Sequence, residues 1–168
     1  MPGFLFNRFL YLNLYMEEEI SIEQIRHELT WKLRKKVLYP EKDLRDMSME
    51  EDLDGIHFGA FKGGWLVGVI SLFQNGDNFQ FRKVAVDPSA QKMGIGSMML
   101  DYVSAFALQE GGRRIWCNAR VSAIPFYLKH GFTQTGKTFE KGCVDYETME
   151  KDISKKAGSN TGSLTKLN

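Results

Sequence analysis

Apolar residues recur three or four positions apart at Ile22, Ile25, Leu29, Leu33 and Val37, which places them along one face of a helix. This spacing predicts a core-facing helix over 22–37, stopped by Pro40. Its solvated side carries Lys32, Arg34, Lys35 and Lys36, near a helix end that favours cations. Residues 41–54 are acidic and lack a clean period, so they read as a loop with room for a short helix, its acids solvated or attracting a cationic substrate. The pattern then becomes β-rich. Runs over 55–62 and 65–74 join at Gly63-Gly64 as a tight hairpin, Asn75-Gly76-Asp77-Asn78 makes another turn, and a third strand over 79–86 is closed by Asp87-Pro88. A helix after Gly96 buries Leu100, Val103 and Ala107, with Phe106 at its margin, and ends at Gly111-Gly112. A short strand over 114–118 follows. The helix over 122–130 tolerates Pro125 in its first turn and stops at Gly131, and a hairpin over 132–139 and 143–151 completes the set.

That order does not alternate strand and helix throughout, so it predicts an α+β fold, a single-domain mixed and mostly antiparallel sheet flanked by helices, rather than a doubly wound one. A chain of 168 residues that is 43% hydrophobic supplies one real core. Its domain is expected over 16–153. The apolar, aromatic stretch before it, 1–15, is interrupted by Arg8 and too short to span a bilayer. It lacks a basic leader and a small-residue cleavage site, and is read as an extension: either synthesis begins at Met16, or the stretch packs as an extra strand or a homodimer contact. Residues 154–168, rich in Ser, Gly, Thr, Lys and Asn, read as a disordered tail. A net charge of +1 offers no field for nucleic acid or an anionic membrane. Cys117 and Cys143 read as free thiols in a reducing compartment, the cytoplasm, and no Cys/His spacing suits a metal.

The chemistry of the chain concentrates at Gln91-Lys92-Met93-Gly94-Ile95-Gly96-Ser97, between the strand ending at Val86 and the next helix. Glycines there let the backbone approach a ligand, and the first amides of the helix carry the positive end of its dipole, so the junction suits a phosphate or pyrophosphate. A dinucleotide fingerprint would need a small residue at Met99, and a triphosphate loop would need Gly-Lys-Ser/Thr where the chain has Gly96-Ser97-Met98. Neither pattern is met.

The strand Val84-Ala85-Val86-Asp87-Pro88 leading into Gln91-x-x-Gly94-x-Gly96 resembles the GCN5-related N-acetyltransferase (GNAT) family. Asn118 through Ala123, followed by Phe126-Tyr127-Leu128-Lys129-His130-Gly131-Phe132, is similar to that family's second signature. The resemblance covers residues 20–152. It implies an N-acetyltransferase that passes the acetyl group of acetyl-coenzyme A to a primary amine, of a small molecule or of a protein, by direct attack. It implies that Met93, Gly94, Ile95, Gly96 and Ser97, with Gln91 and Lys92 beside them, cradle the pyrophosphate, and that Val84, Ala85 and Val86 pair with the pantetheine arm. The amide of Val84 would face the thioester oxygen as an oxyanion donor. Tyr127, beside Phe126, would be the general acid near the coenzyme sulfur, and Asn118 would orient the coenzyme arm.

One position departs from the family. Relatives often carry a glutamate base on the strand before the loop, where this chain has Gln80. A water chain, His57 or an acid from the 41–54 loop is left to take the amine's proton. The missing carboxylate keeps open an alternative, a non-catalytic coenzyme-A-binding or regulatory module.

Overall fold

The computed structural model describes residues 19–154. The expected extension over 1–15, and the expected tail over 154–168 apart from Ser154, lie outside the described residues. The first element corrects the sequence expectation. Instead of opening a helix at Ile22, the chain forms strand β1 (Ile20–Ile25), which pairs antiparallel from Ile20↔Lys62 to Ile25↔His57. The three β-branched isoleucines explain the switch: Ile20 and Ile22 alternate with polar Ser21 and Glu23, a period that suits a strand beside a neighbour waiting to be paired. The helical run begins only at His27. It passes from a 3-10 turn (His27–Thr30) through α1 (Trp31–Leu33) into a π-helical turn (Arg34–Leu38).

Strands β2 (Ile56–Lys62) and β3 (Trp65–Asn75) form the expected hairpin. Both turn residues have positive φ, 55° at Gly63 and 82° at Gly64, a conformation that L side chains resist. Then come β4 (Asn78–Val86), α2 (Ile95–Gln109), β5 (Arg114–Arg120), α3 (Ile124–Lys129), β6 (Thr133–Lys141) and β7 (Val144–Asp152). Neighbours in the sheet follow the order β1-β2-β3-β4-β5-β7-β6. The β4–β5 pair is parallel, while β1–β2, β2–β3, β5–β7 and β6–β7 are antiparallel. This is the mixed, mostly antiparallel α+β sheet that the element order implied.

The chain divides into two compact units. The first contains the chain up to Leu72 together with Lys83–Tyr102. Leu33, Val69 and Ala85 form a core cluster there, with Ile25, Val37, Leu38 and Leu66 packed against it. Leu33 and Val37 thus face inward as their spacing required, whereas Leu29, on the 3-10 turn, is 46% exposed because the tighter winding there shifts the helical phase. The second unit contains Phe73–Arg82 and the chain from Val103 onward. Phe79, Phe81, Ile115, Phe132 and Met149 are buried in it, with Phe81 edge-on to Phe132 at 5.6 Å between ring centroids. Its parallel ladder is short, Asn78↔Arg114 to Gln80↔Trp116, while β5 pairs with β7 over all of Arg114–Arg120.

Candidate functional site

In the first unit the strand-to-helix junction is held by local hydrogen bonds. Ala85 is buried on the core cluster, with Val84 and Val86 half-buried on either side. The Asp87 amide donates to the Val67 carbonyl at 2.7 Å. The Asp87 carboxylate accepts from the Ser89 amide at 3.0 Å and hydroxyl at 2.8 Å, and meets Lys36 Nζ at 2.6 Å. The hydrogen bond from Lys36, then those from Ser89, hold its pKa down at about 2. Gln91 Nε2 reaches back to the Val86 carbonyl at 3.1 Å and closes the loop onto the strand.

Lys92 and Gly94 follow in the left-handed region, with φ of 64° and 78°. The Met98 amide donates to the Gly94 carbonyl at 2.9 Å as the first helical bond of α2. The amides ahead of it, at Ile95 and Gly96, are the ones a helix start directs outward, where the dipole is positive. A Cβ built on Gly94 would meet no atom within 4 Å, so the space beside this backbone is open, as a pyrophosphate cradle requires. The two glycines differ in kind: Gly94 makes the turn, whereas Gly96 lies within the first turn of α2.

Lys83, which immediately precedes Val84, has φ of 56° inside β4. A left-handed non-glycine residue costs about 1–3 kcal/mol and persists only where its surroundings enforce it. Its ammonium hydrogen-bonds the Tyr39 hydroxyl and lies 4.5 Å from the centre of the Tyr39 ring. Lys42 approaches the same ring at 4.8 Å.

His57 and Arg34 occupy a buried polar network of the same unit. Arg34, expected on a solvated face, is fully buried. It donates to the two Asp52 carboxylate oxygens at 2.8 and 2.9 Å, to the Ser71 hydroxyl at 2.8 Å and to the Met47 carbonyl at 3.0 Å. His57 Nδ1 lies 2.8 Å from Ser71 Oγ, and Nε2 lies 2.8 Å from the Asp52 carbonyl. The pattern is self-consistent with Nε2–H donating to that carbonyl and Ser71 donating to Nδ1. Burial lowers the His57 pKa and outweighs the opposing hydrogen bond to Asp52. Burial alone would raise Asp52, yet the hydrogen bonds from Arg34 and Met49 pull it below its ordinary value. His57 therefore has both ring nitrogens in hydrogen-bond contact within the protein. Asp52, an acid of the 41–54 stretch, is likewise committed to Arg34.

In the second unit, Asn118 is exposed on β5, and its Oδ1 accepts from the Thr148 hydroxyl at 2.9 Å. Tyr127 is 8% exposed, with its ring against Phe126, Phe81 and Phe132 at 5.2, 5.7 and 5.8 Å. Its hydroxyl hydrogen-bonds the buried Cys117 thiol. Burial pushes Cys117 up to about 12 and Tyr127 well above the usual phenol value. Both cysteines are free. Gln80 faces a cleft of about 430 Å³ with Asn78, Arg114 and Trp116. Arg114, Trp116 and Asn118 continue into a second cleft of about 610 Å³ toward Lys137 and Phe139. Arg114 is paired with Glu150 at 2.6 Å.

Val84–Val86, the loop and His57 thus belong to the first unit, and Asn118, Phe126 and Tyr127 to the second. Arg34, Asp52, Ser71, Tyr39 and Lys83 escaped the sequence reading. Hydropathy cannot mark a buried guanidinium whose acid lies eighteen positions away. Among the described residues no group of three or more His, Cys, Asp and Glu could hold a metal ion. No helix there is long and apolar enough to cross a membrane.

Comparison with known proteins adds a separate line of observation. A family model described as an acetyltransferase (GNAT) domain matches residues 17–153. A Bacillus subtilis protein named as the uncharacterized N-acetyltransferase YitI is 24% identical over 130 residues, covering 72% of this chain and 87% of its own. The solved structure of an aminoglycoside N-acetyltransferase complexed with coenzyme A superposes with a TM-score of 0.69 at 16% identity, covering 82% of this chain and 99% of that one. A ribosomal-protein alanine N-acetyltransferase from Escherichia coli superposes with a TM-score of 0.67 at 18% identity, covering 84% and 98%. At those identities the structural likeness speaks for the fold alone.

Proposed function

The chain belongs to the GNAT acetyltransferase family, and on that premise we propose that it transfers the acetyl group of acetyl-coenzyme A to a primary amine by direct attack. The observation that carries the reading is the junction from Val84 to Ser97. A strand end, a left-handed Gly94 beside open space and the outward amides of α2 form a site for the coenzyme pyrophosphate. Gln91 and Lys92 border it, and Met93 to Ser97 supply its backbone. Val84 to Val86, at the end of β4, hold the pantetheine arm. The Val84 amide donates to the oxyanion formed as the amine attacks, a contribution of about 2.7–4 kcal/mol for one well-placed donor. Asn118 orients the arm, its carbonyl oxygen fixed by Thr148 and its amide nitrogen left to donate. Phe126 packs beside Tyr127.

The raised pKa of Tyr127 refines its role. A phenol ordinarily near 10, pushed higher by burial, does not readily protonate a thiolate near 8.5. Turned from the Cys117 thiol, the Tyr127 hydroxyl therefore acts as a neutral hydrogen-bond donor to the charge developing on the leaving sulfur. With Gln80 uncharged and His57 and Asp52 engaged elsewhere, the acceptor's proton leaves through water.

The acceptor is a small-molecule amine or a protein amino group. Gln80 favours one rival, a binder of coenzyme A that does not turn over. Release of free thiol from acetyl-coenzyme A across a panel of amines, with calorimetric titration of the coenzyme, separates the two. The proposal expects saturable binding and acceptor-dependent release. Binding without release on any amine would favour the rival, and absent binding would remove both.

A further inference from the structure

We propose that Lys83, assisted by Lys42, binds a carboxylate of the acceptor, so that the acceptor is an amine that also bears an acid, of the amino-acid type. The inference rests on the acetyl-transfer reading, because Lys83 takes its meaning from the adjoining Val84 amide, one peptide unit or about 3.8 Å along the chain.

Three observations converge. Lys83 is half-buried and left-handed within a strand, at φ of 56°, a conformation kept at positions that the surroundings over-determine, functional ones above all. Its ammonium and that of Lys42 both lie against the Tyr39 ring, at 4.5 and 4.8 Å from its centre. Two like charges on one ring repel, and among the described residues neither meets a carboxylate. Elsewhere in this unit the arrangement is different: Lys36 is neutralised by Asp87 and Arg34 by Asp52. A ring quadrupole holds cations loosely and leaves their remaining N–H groups to a ligand. Lys83 spends one donor on the Tyr39 hydroxyl and retains two.

The test compares acceptors in matched pairs, each amino acid against the amine left when its carboxylate is removed, using free-thiol release with the full-length protein. Lys83→Met keeps the aliphatic stem on Tyr39 and removes the charge, and Lys83→Arg restores it. Wild-type protein is expected to prefer the acid-bearing member of a pair at least tenfold in kcat/KM. Lys83→Met should collapse that preference at least tenfold, Lys42→Met should reduce it less, and Lys83→Arg should recover most of it. Equal use of both members by the wild type, or a preference that survives Lys83→Met, would overturn the proposal. A rise in KM confined to acetyl-coenzyme A would also overturn it, since the charge would then serve a coenzyme phosphate. Should no amine turn over, the acetyl-transfer reading itself has failed. The anion site is then read alone, by NMR titration with N-acetyl amino acids against the same amides lacking the acid. Shifts at Lys83 that need the acid and vanish in Lys83→Met support the site, and their absence refutes it.

Discussion

Asp52 accepts both Arg34 hydrogen bonds, at 2.8 and 2.9 Å, where each side chain is about 1% exposed. An ion pair this deep adds little over an apolar pair of the same volume, but removing one partner strands the other charge, at about 3–5 kcal/mol. Asp52→Ala is therefore expected to lose about that much stability in urea unfolding. A combined Arg34→Met and Asp52→Leu variant should regain most of the loss, and equal destabilisation in both would show that Arg34 was never satisfied by Asp52. Tyr127 sets a different residue-scale expectation. A hydrogen bond to developing charge contributes about 1.5–3 kcal/mol. Tyr127→Phe should lower kcat about 10- to 150-fold by that measure and leave the KM for acetyl-coenzyme A nearly unchanged. Unaltered kcat in the thiol-release assay would remove the hydroxyl from the reaction.

The strand-loop-helix element makes its own prediction through backbone conformation. Gly94 sits at φ of 78° with open space where a Cβ would go, so a substitution there acts through the dihedral angle and not through a clash. A β-branched residue resists that region most strongly. Gly94→Val is expected to weaken acetyl-coenzyme A binding about tenfold or more by calorimetry, while circular dichroism stays near wild type and the loss of stability stays within the dihedral strain of about 1–3 kcal/mol. Gly96, already helical, should tolerate Gly96→Ala in stability, and it loses coenzyme affinity only by crowding the ligand. This asymmetry was invisible in Gly-x-Gly, although the strand-loop-helix junction was legible from glycines set between an apolar strand and an amphipathic run. The hairpins were legible for the same reason: Gly63-Gly64 announces its turn. The first helix was not. Ile20 and Ile22 fit a period of two, Ile22 and Ile25 one of three, and only pairing with β2 decides between them. Arg34 and Lys83 were illegible for a further reason: their partners Asp52 and Tyr39 are distant in sequence, and side-chain pairing over such gaps leaves no periodic trace.

At the scale of the whole molecule the titrating groups set two pH limits that do not overlap. His57 is held below its ordinary pKa in the folded state, so as the pH falls below about 6.5 the unfolded chain takes up a proton that the folded one resists, and stability declines. Asp52, also lowered, adds a second decline below about 3.9, where the unfolded carboxyl protonates first. Above pH 7 neither group changes state, and the plateau ends only above about 8.5, where the unfolded Cys117 thiol ionises and the folded one does not. Catalysis depends on the opposite side of the scale. Among the shifted groups are Asp52, His57 and Asp87, which are lowered, and Cys117 and Tyr127, which are raised. None of these shifts produces a base poised near neutrality, and the position facing the 430 Å³ cleft is the amide of Gln80. An alkyl amine with a pKa near 10.4 then gains its reactive form about tenfold per pH unit. The logarithm of kcat/KM should accordingly rise with a slope near one between pH 7 and 9, while the melting temperature holds until about pH 8.5 and then begins to fall as the unfolded Cys117 thiol ionises. Gln80→Glu, which installs a carboxylate at that position, should raise the rate at pH 7 and flatten the slope. A wild-type profile already level at pH 7 would mean that a base exists within the protein, and that the proton does not leave through water.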